Sequence, residues 1–176
     1  VELLERLKRI KPVWGELGLQ TVHEETARFI RRGYSLDVFD RAVADLRRLG
    51  ITVIVHVILF LPGETEGRML ETVDYLNSRD IQGIKLQLLH VLEGTDLAGI
   101  YRDQPFHTLD MEEYIRVLGR CIVRLRPDIA IHRLTGDGPK DLLIAPLWTG
   151  AKRTVLNRLN QYLKENDLWQ GKEYYG

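Results

Sequence analysis

The segment from Ile51 to Leu59 constrains this fold most, because nearly every residue in it is β-branched or aliphatic. A strand of that composition is typical of a parallel sheet, whose strands are buried on both faces. Parallel neighbours need long, usually helical, connections, and segments with helical periodicity lie on both sides of this strand. The pattern therefore predicts an α/β fold.

Further strands and helices follow from hydrophobic periodicity and from capping residues. Strands are predicted near 16–20, 51–59 and 83–88, adjacent in that order with helices on one side, and a short last strand near 129–132. A helix is predicted from about Val22 to Arg32, and another from Val155 to Leu163. The predicted N-caps are Thr21, Ser35, Thr65 and Asp110.

Length and composition limit the organisation of the chain. Its 176 residues, 44% of them hydrophobic, suffice for one sizeable core. We therefore expect a single domain in which residues 1–100 form the sheet and its helices and residues 101–176 form an extension packed on the same core. The first residues read as an amphipathic helix without an initiator Met, so we expect the chain to be part of a longer protein.

Charge and cysteine content exclude some classes of protein. The 25 Lys and Arg balance 25 Asp and Glu, so the net charge does not demand a polyanionic partner. The longest apolar stretch is far shorter than the ~20 residues of a spanning helix, so no membrane segment is expected. A single cysteine, Cys121, excludes an internal disulfide and favours a reducing, cytoplasmic compartment.

Ligands of parallel α/β folds bind at the carboxyl ends of the strands, so the residues that follow each strand are the first candidates. They include Gln20 after the first strand and His90 after the third. A loop rich in Gly and polar residues, with His132, Arg133 and Asp137, follows the last strand. Such a loop suits a binding site better than a spacer.

Several other kinds of site find little support. The five histidines lack the i, i+4 spacing of a helical zinc pair, so no metal site is predicted. The glycine motifs of phosphate-binding loops and of dinucleotide-binding folds are also absent. Arg116, Arg120 and Arg124 form a basic line at helical spacing. That line is read either as a contact to phosphates or as a solvated face paired with acids.

Four segments taken together resemble the second half of a radical S-adenosylmethionine (SAM) barrel. They are Glu16–Thr21, Arg32–Tyr34, His56–Thr65 and Leu88–Thr95. The likeness is to YhcC-type proteins, which are relatives of the elongator catalytic subunit and of oxygen-independent coproporphyrinogen oxidase. It implies a partial (βα) barrel of the TIM type with a C-terminal helical extension.

The resemblance also implies roles for individual residues. Gln20 would contact SAM, Arg32 would hold its methionine carboxylate, and His56 would hold the ribose hydroxyls. From spacing alone, His56 could equally be a buried histidine with a structural hydrogen bond. Leu88 and Leu89 would lie near the adenine.

Two further implications concern the substrate and the turn after the second strand. His90, His132, Arg133 and Asp137 are the candidate substrate-binding residues. Phe60 stands where such proteins usually carry glycine before Leu-Pro, a departure that would reshape the turn beside the cofactor.

The implied chemistry is reductive cleavage of SAM at a [4Fe-4S] cluster to a 5′-deoxyadenosyl radical, which abstracts hydrogen from a substrate. Three cysteines bind that cluster in a segment that this sequence lacks. We therefore expect this chain to be inactive, to hold no cofactor by itself, and to need the missing N-terminal half as its partner. The exposed edge of the first strand would also favour a homo-oligomer.

Two alternatives come from other classes of protein. The first is a half barrel without a cofactor that contacts RNA or protein through the line from Arg116 to Arg124. The second is an ordinary flavin- or phosphate-binding (βα) enzyme.

Overall fold

Four parallel strands form the main sheet of the computed structural model, which describes residues 1–136 and 138–175. In chain order the elements are α1 (Glu2–Ile10), β1 (Trp14–Gln20), α2 (Glu24–Phe29), α3 (Leu36–Arg48), β2 (Thr52–Leu59), α4 (Glu66–Asn77), β3 (Gly83–Leu88), β4 (Val91–Leu92), α5 (Asp96–Asp103), α6 (Met111–Arg124), β5 (Ala130–Arg133), β6 (Leu143–Ala145), a 3₁₀ helix (Leu147–Gly150) and α7 (Lys152–Glu165). The main sheet has the order β1-β2-β3-β5, which confirms the predicted α/β architecture.

The two faces of the sheet differ in composition because successive side chains of a strand alternate. Val53, Val55, Val57 and Leu59 of β2 are fully or almost fully buried in the main core, which also contains residues of α3, α4 and α6. We call this the apolar face. The opposite side is the polar face, which carries Glu16, His56, Lys85 and Gln87.

The main core draws on both of the predicted parts of the chain. Tyr114 and Leu118 of α6, both at 0% exposure, belong to the same apolar cluster as Val57 and Leu86. The α7 residue Leu159 belongs to that cluster as well. The division at residue 100 itself stays a prediction.

A second, smaller cluster lies outside the main core. Strands β4 and β6 pair antiparallel, and Val91, Ala98 and Ala145 are buried between this ribbon and α5. Leu97 and Tyr101 pack against them. Neither this ribbon nor α5 was predicted, because two- and three-residue strands leave almost no periodic signal.

The capping predictions are partly right. Thr65 accepts a hydrogen bond from the Arg68 N–H, and Asp110 forms a full capping box with Glu113. Thr21 is not an N-cap: α2 begins only after His23, and the Thr21 hydroxyl donates to Glu64 instead. Among the described residues, no helix is both long and apolar enough to cross a bilayer.

Candidate functional site

A cleft of about 600 Å³ lies at the carboxyl ends of β1, β2 and β3. The segment after α2 and the start of α5 form its rims. Its apolar walls come from Phe29, Ile58, Leu61, Leu89, Leu97 and Ile100, and its polar groups include Gln20, Arg31, Arg32 and Asp96. A mostly apolar cleft with a few convergent polar groups is typical of a small-molecule site.

Unusual backbone geometry is concentrated near this cleft. Gln20, Arg31 and Phe60 have φ angles of 59°, 57° and 64°, in the left-handed region that side chains other than glycine rarely adopt. Gln20 and Arg31 line the cleft, and Phe60 precedes the lining residue Leu61. Strained backbone of this kind clusters at functional sites, where the surrounding structure holds it in place.

Gln20 marks a break in the register of β1. The pairing with β2 shifts between Gly18 and Gln20, so that Gln20 stands opposite Val57. With its amide oriented to donate, the side chain bonds the Gly18 carbonyl at 2.8 Å and the Leu19 carbonyl at 3.1 Å. A Cβ atom at Gly18 would lie 2.2 Å from this amide, so the absence of a side chain at residue 18 gives Gln20 its place.

Arg32 lines the cleft, but its guanidinium is already engaged. The side chain is 1% exposed. Nη1 donates to the carbonyls of Thr21 (2.8 Å) and Leu19 (3.2 Å), Nε donates to Tyr34 O (2.8 Å), and Nη2 donates to Glu24 (2.9 Å). Its contact with a carboxylate ligand stays a prediction, and its observed partners hold the chain that follows β1.

His56 lies on the polar face, on the side opposite to Val55 and Val57. Its Nε2 is 2.7 Å from Glu16 Oε2, and its Nδ1 is 3.3 Å from Gln87 Nε2. Lys85 Nζ donates to the same Glu16 oxygen at 2.6 Å. Both ring nitrogens thus meet protein atoms, and the predicted contact with ribose hydroxyls stays untested.

Glu16 is the electrostatic centre of this group. Hydrogen bonds from Lys85 and then His56 lower the pKa of Glu16 below its usual value. The Gln87 amide donor leaves His56 Nδ1 as the acceptor, so His56 Nε2 carries the proton donated to Glu16. The row Glu16–His56–Gln87 therefore crosses β1, β2 and β3 as a connected hydrogen-bond network.

Leu88 and Leu89, predicted together, lie in different places. Leu88 is 5% exposed and belongs to the main core. Leu89 lines the cleft. Strand alternation accounts for this separation, and it leaves Leu89 as the residue of the pair with access to a ligand.

Phe60 occupies a left-handed position, which explains why glycine suits this turn. Its ring centroid is 6.4 Å from that of Tyr114 in the main core. Its N–H points to Met69 Sδ at 3.2 Å. The aromatic side chain thus packs on α6 from a backbone conformation that favours glycine.

Of the four candidate substrate-binding residues, His90, His132 and Arg133 do not line the cleft. His90 lines a smaller cavity of about 170 Å³ with Gly136 and Lys140. His132 makes an edge contact with Trp14, with ring centroids 6.0 Å apart. Arg133 Nη1 is 3.4 Å from Gln87 Oε1, and Asp137 lies outside the described residues.

Metal-binding groups are missing from the described part of the chain: no set of three His, Cys, Asp or Glu side chains converges there. Cys121 is fully buried, and burial raises the pKa of its thiol to about 12. A cluster ligand must be an accessible thiolate, so the residues present do not fit an iron–sulfur cluster.

The basic line on α6 is paired with acids. Arg116 and Arg120 both donate to Glu66, and Arg124 donates to Asp74 at 2.8 Å. A phosphate would have to displace these carboxylates. Binding of RNA to this face stays an untested prediction.

Sequence reasoning missed several residues of the site. Glu16, Lys85 and Gln87 were not singled out, although their place on the face of His56 could have been read from strand alternation. Arg31 and Asp96 meet across the cleft, 65 positions apart, and no local pattern reveals such a pair.

Comparison with protein families gives two matches that together span most of the chain. Residues 1–76 match the family model of the radical SAM superfamily. Residues 81–165 match that of the Radical_SAM C-terminal domain.

Two curated relatives are similar over most of this chain. The uncharacterized protein YtqA of Bacillus subtilis is 38% identical over 172 residues, which are 98% of this chain and 53% of YtqA. The protein YhcC of Escherichia coli is 32% identical over 156 residues, which are 89% of this chain and 50% of YhcC. The chain spans about half the length of these relatives.

A solved structure shares the fold. The archaeal Methanocaldococcus infernus Elp3, with residues 1–46 deleted from its N-terminus, superposes with a TM-score of 0.81 at 18% sequence identity. The superposition covers 96% of this chain and 40% of that one. At 18% identity the similarity shows a shared fold and nothing more.

Proposed function

Because this chain belongs to the radical SAM superfamily, with YhcC-type relatives, we propose that it supplies the SAM-binding cleft of a radical SAM enzyme. The observation that carries the proposal is the cleft of about 600 Å³ at the carboxyl ends of β1–β3. Ligands of parallel (βα) folds bind at this edge. The volume lies within the usual range for small-molecule sites.

The residues around the cleft suit a nucleoside-type cofactor. Ile58, Leu61 and Leu89 offer apolar surface for a flat base. Gln20 offers its amide oxygen as an acceptor, because its NH2 group donates to the Gly18 and Leu19 carbonyls. Arg32 fixes the chain around Gln20 through the Leu19 and Thr21 carbonyls, so it acts at least as a positioning residue.

SAM bound at an iron–sulfur cluster supplies a carbon radical that removes a hydrogen atom from a substrate. The residues of this chain do not fit the cluster, and no reaction step is assigned to them. The cleft alone would bind SAM weakly and would not cleave it. The single buried cysteine is consistent with a reducing, cytoplasmic compartment.

The partner in this proposal is the remaining half of the enzyme. Strand β1 is an edge of the main sheet, with β2 as its one neighbour in the described residues. An unpaired edge is a template for a further strand. A barrel strand outside this sequence would pair there, and a second copy of this chain would compete for the same edge.

The test is titration of the isotope-labelled chain with S-adenosylhomocysteine, followed by NMR. We expect millimolar binding that shifts the signals of Gln20, Ile58 and Leu89. Gln20→Ala should weaken it by about 1 kcal/mol, the typical value of a neutral hydrogen bond. Shifts confined to residues away from the cleft would refute the proposal.

A second experiment adds the cysteine-bearing half in the same polypeptide. That protein should be brown and air-sensitive and should cleave SAM, whereas the 176-residue chain alone should not. A colourless protein that binds no iron would contradict the assignment.

A further inference from the structure

An ion pair joins the two rims of the cleft. Arg31 Nη1, in the turn that follows α2, donates to Asp96 Oδ2 at the start of α5, at 2.7 Å. Both side chains line the cleft and both are largely exposed, at 78% and 74%. An ion pair between such exposed groups contributes little to stability, so a competing anion can replace Asp96 at small cost.

The neighbouring arginine has the opposite character. Arg32 is 1% exposed and bonds four protein acceptors, so its release would leave buried carbonyls without donors. In the described part of the chain, the Arg31 guanidinium uses only Nη1, which leaves Nε and Nη2 as a free fork. Such a fork matches the two oxygens of a carboxylate or phosphate.

The backbone supports a specific role for Arg31. Its φ of 57° is costly for a residue with a side chain. The turn therefore keeps an arginine where glycine would fit without strain, and this side chain stands at the mouth of a cleft. An observed outlier of this kind is a reason to look for function.

We propose that Arg31 binds an anionic oxygen group of a molecule in the cleft, with Asp96 as the partner that this group displaces. The proposal rests on the proposed function, because it assumes that the cleft is the ligand site. The group is a carboxylate or a phosphate. It belongs either to the cofactor itself or to a second molecule at the mouth.

Two pairs of probes distinguish these sources by NMR titration. S-adenosylhomocysteine and 5′-methylthioadenosine differ in the amino-acid portion with its carboxylate, so their affinity ratio tests the cofactor. Ribose 5-phosphate and ribose, added to the chain saturated with 5′-methylthioadenosine, test a second molecule. In one of these arms the anionic probe should bind about tenfold tighter, the typical value of a charge-assisted hydrogen bond.

Variants assign that preference to a residue. Arg31→Gln should abolish it, and Asp96→Asn should increase it about threefold by removing the competing acid. Arg28→Gln removes the same charge from an exposed site on α2 that does not line the cleft, so it is the matched control. It should leave the preference unchanged.

Each outcome decides the matter. Loss of the preference in Arg31→Gln but not in Arg28→Gln supports the proposal. The pair of probes that shows the preference then identifies the molecule that carries the anionic group. No preference in either arm, or one that survives Arg31→Gln, overturns it while leaving the SAM cleft intact. Failure of every probe to shift cleft residues overturns the proposed function as well.

Discussion

The two faces of the main sheet use the same strands for different purposes. On the apolar face, Val55 and Leu86 are at 0% exposure in the main core. On the polar face, one residue away along each strand, His56 and Lys85 are joined through Glu16. The period of two thus separates residues that stabilise the fold from residues available for chemistry.

This difference distinguishes the sheet from a purely structural barrel wall. The interior of a (βα) barrel is usually packed with bulky branched side chains. Here the polar face carries a carboxylate, an ammonium and an imidazole in one network. Such a face is suited to a polar ligand or to water more than to an apolar core.

The largest difference in stability is expected between substitutions of two consecutive β3 residues, one on the apolar face and one on the polar face. Leu86→Ala removes a fully buried side chain and should destabilise the fold by about 2–5 kcal/mol. Lys85→Ala removes one partner of Glu16, whose carboxylate is 39% exposed and keeps the hydrogen bond from His56, so it should cost only about 1 kcal/mol. Urea denaturation of both variants measures the two values, and equal losses would show that the faces do not differ as described.

The second effect tests the backbone at the end of β2. At most positions glycine is less stable than alanine by roughly 0.5–1 kcal/mol. At Phe60, with φ of 64°, the order should reverse, so that Phe60→Gly is more stable than Phe60→Ala by about 1 kcal/mol. Both variants lose the contact with Tyr114, so the difference between their thermal or urea unfolding isolates the backbone.

A regular helical site provides the control for that reversal. Ala44→Gly, at an exposed site in the middle of α3, should be less stable than the wild type, which carries alanine there. If alanine is favoured at residue 60 as well, the turn does not impose the left-handed conformation.

The smallest expected change in stability concerns Glu64, which follows β2 and accepts a hydrogen bond from Thr21 at the end of β1. Burial raises the pKa of this carboxyl above its usual 4.5, while hydrogen bonds from Thr21 and Thr26 oppose the shift. An acid with a raised folded-state pKa binds its proton more tightly in the folded state. The wild type should therefore lose stability as the pH rises from about 4.5 through the folded value.

Glu64→Gln keeps the acceptor for Thr21 and removes the charge. It should be more stable than wild type at pH 7 by up to about 1 kcal/mol and nearly equal to it at pH 4. Glu71→Gln removes an exposed acid of α4 and serves as the control. A gain that is the same at both pH values would contradict the role of burial.

The sequence was sufficient for the elements with strong periodic patterns. β2 lies close to its predicted position, and α6 begins directly after its predicted N-cap, Asp110. α2 is shorter than predicted at both ends: the Thr21 hydroxyl bonds Glu64, 43 positions away, and Arg31 has a left-handed φ of 57°, which is incompatible with a continued helix. The sequence pattern of a capping box is present at Thr21, but Thr21 does not cap the helix.

The site was less predictable than the fold because its geometry depends on contacts between distant segments. Motif matching pointed to Gln20 and Leu89, which line the cleft. It did not predict that Arg32 would be closed off by backbone carbonyls while Arg31 faces Asp96. Neighbouring arginines of equal charge differ here only through tertiary structure.

The small cluster beneath α5 has a consequence for how such a protein can change over generations. Leu97 forms part of the cleft wall, yet it packs with Ala98 and Val91 rather than in the main core. A substitution that refits this wall to another ligand leaves the packing of Val55 and Leu86 untouched. Selection can therefore change which ligands the cleft binds without lowering the stability of the main sheet, because the substitutions fall in α5 and the β4–β6 ribbon.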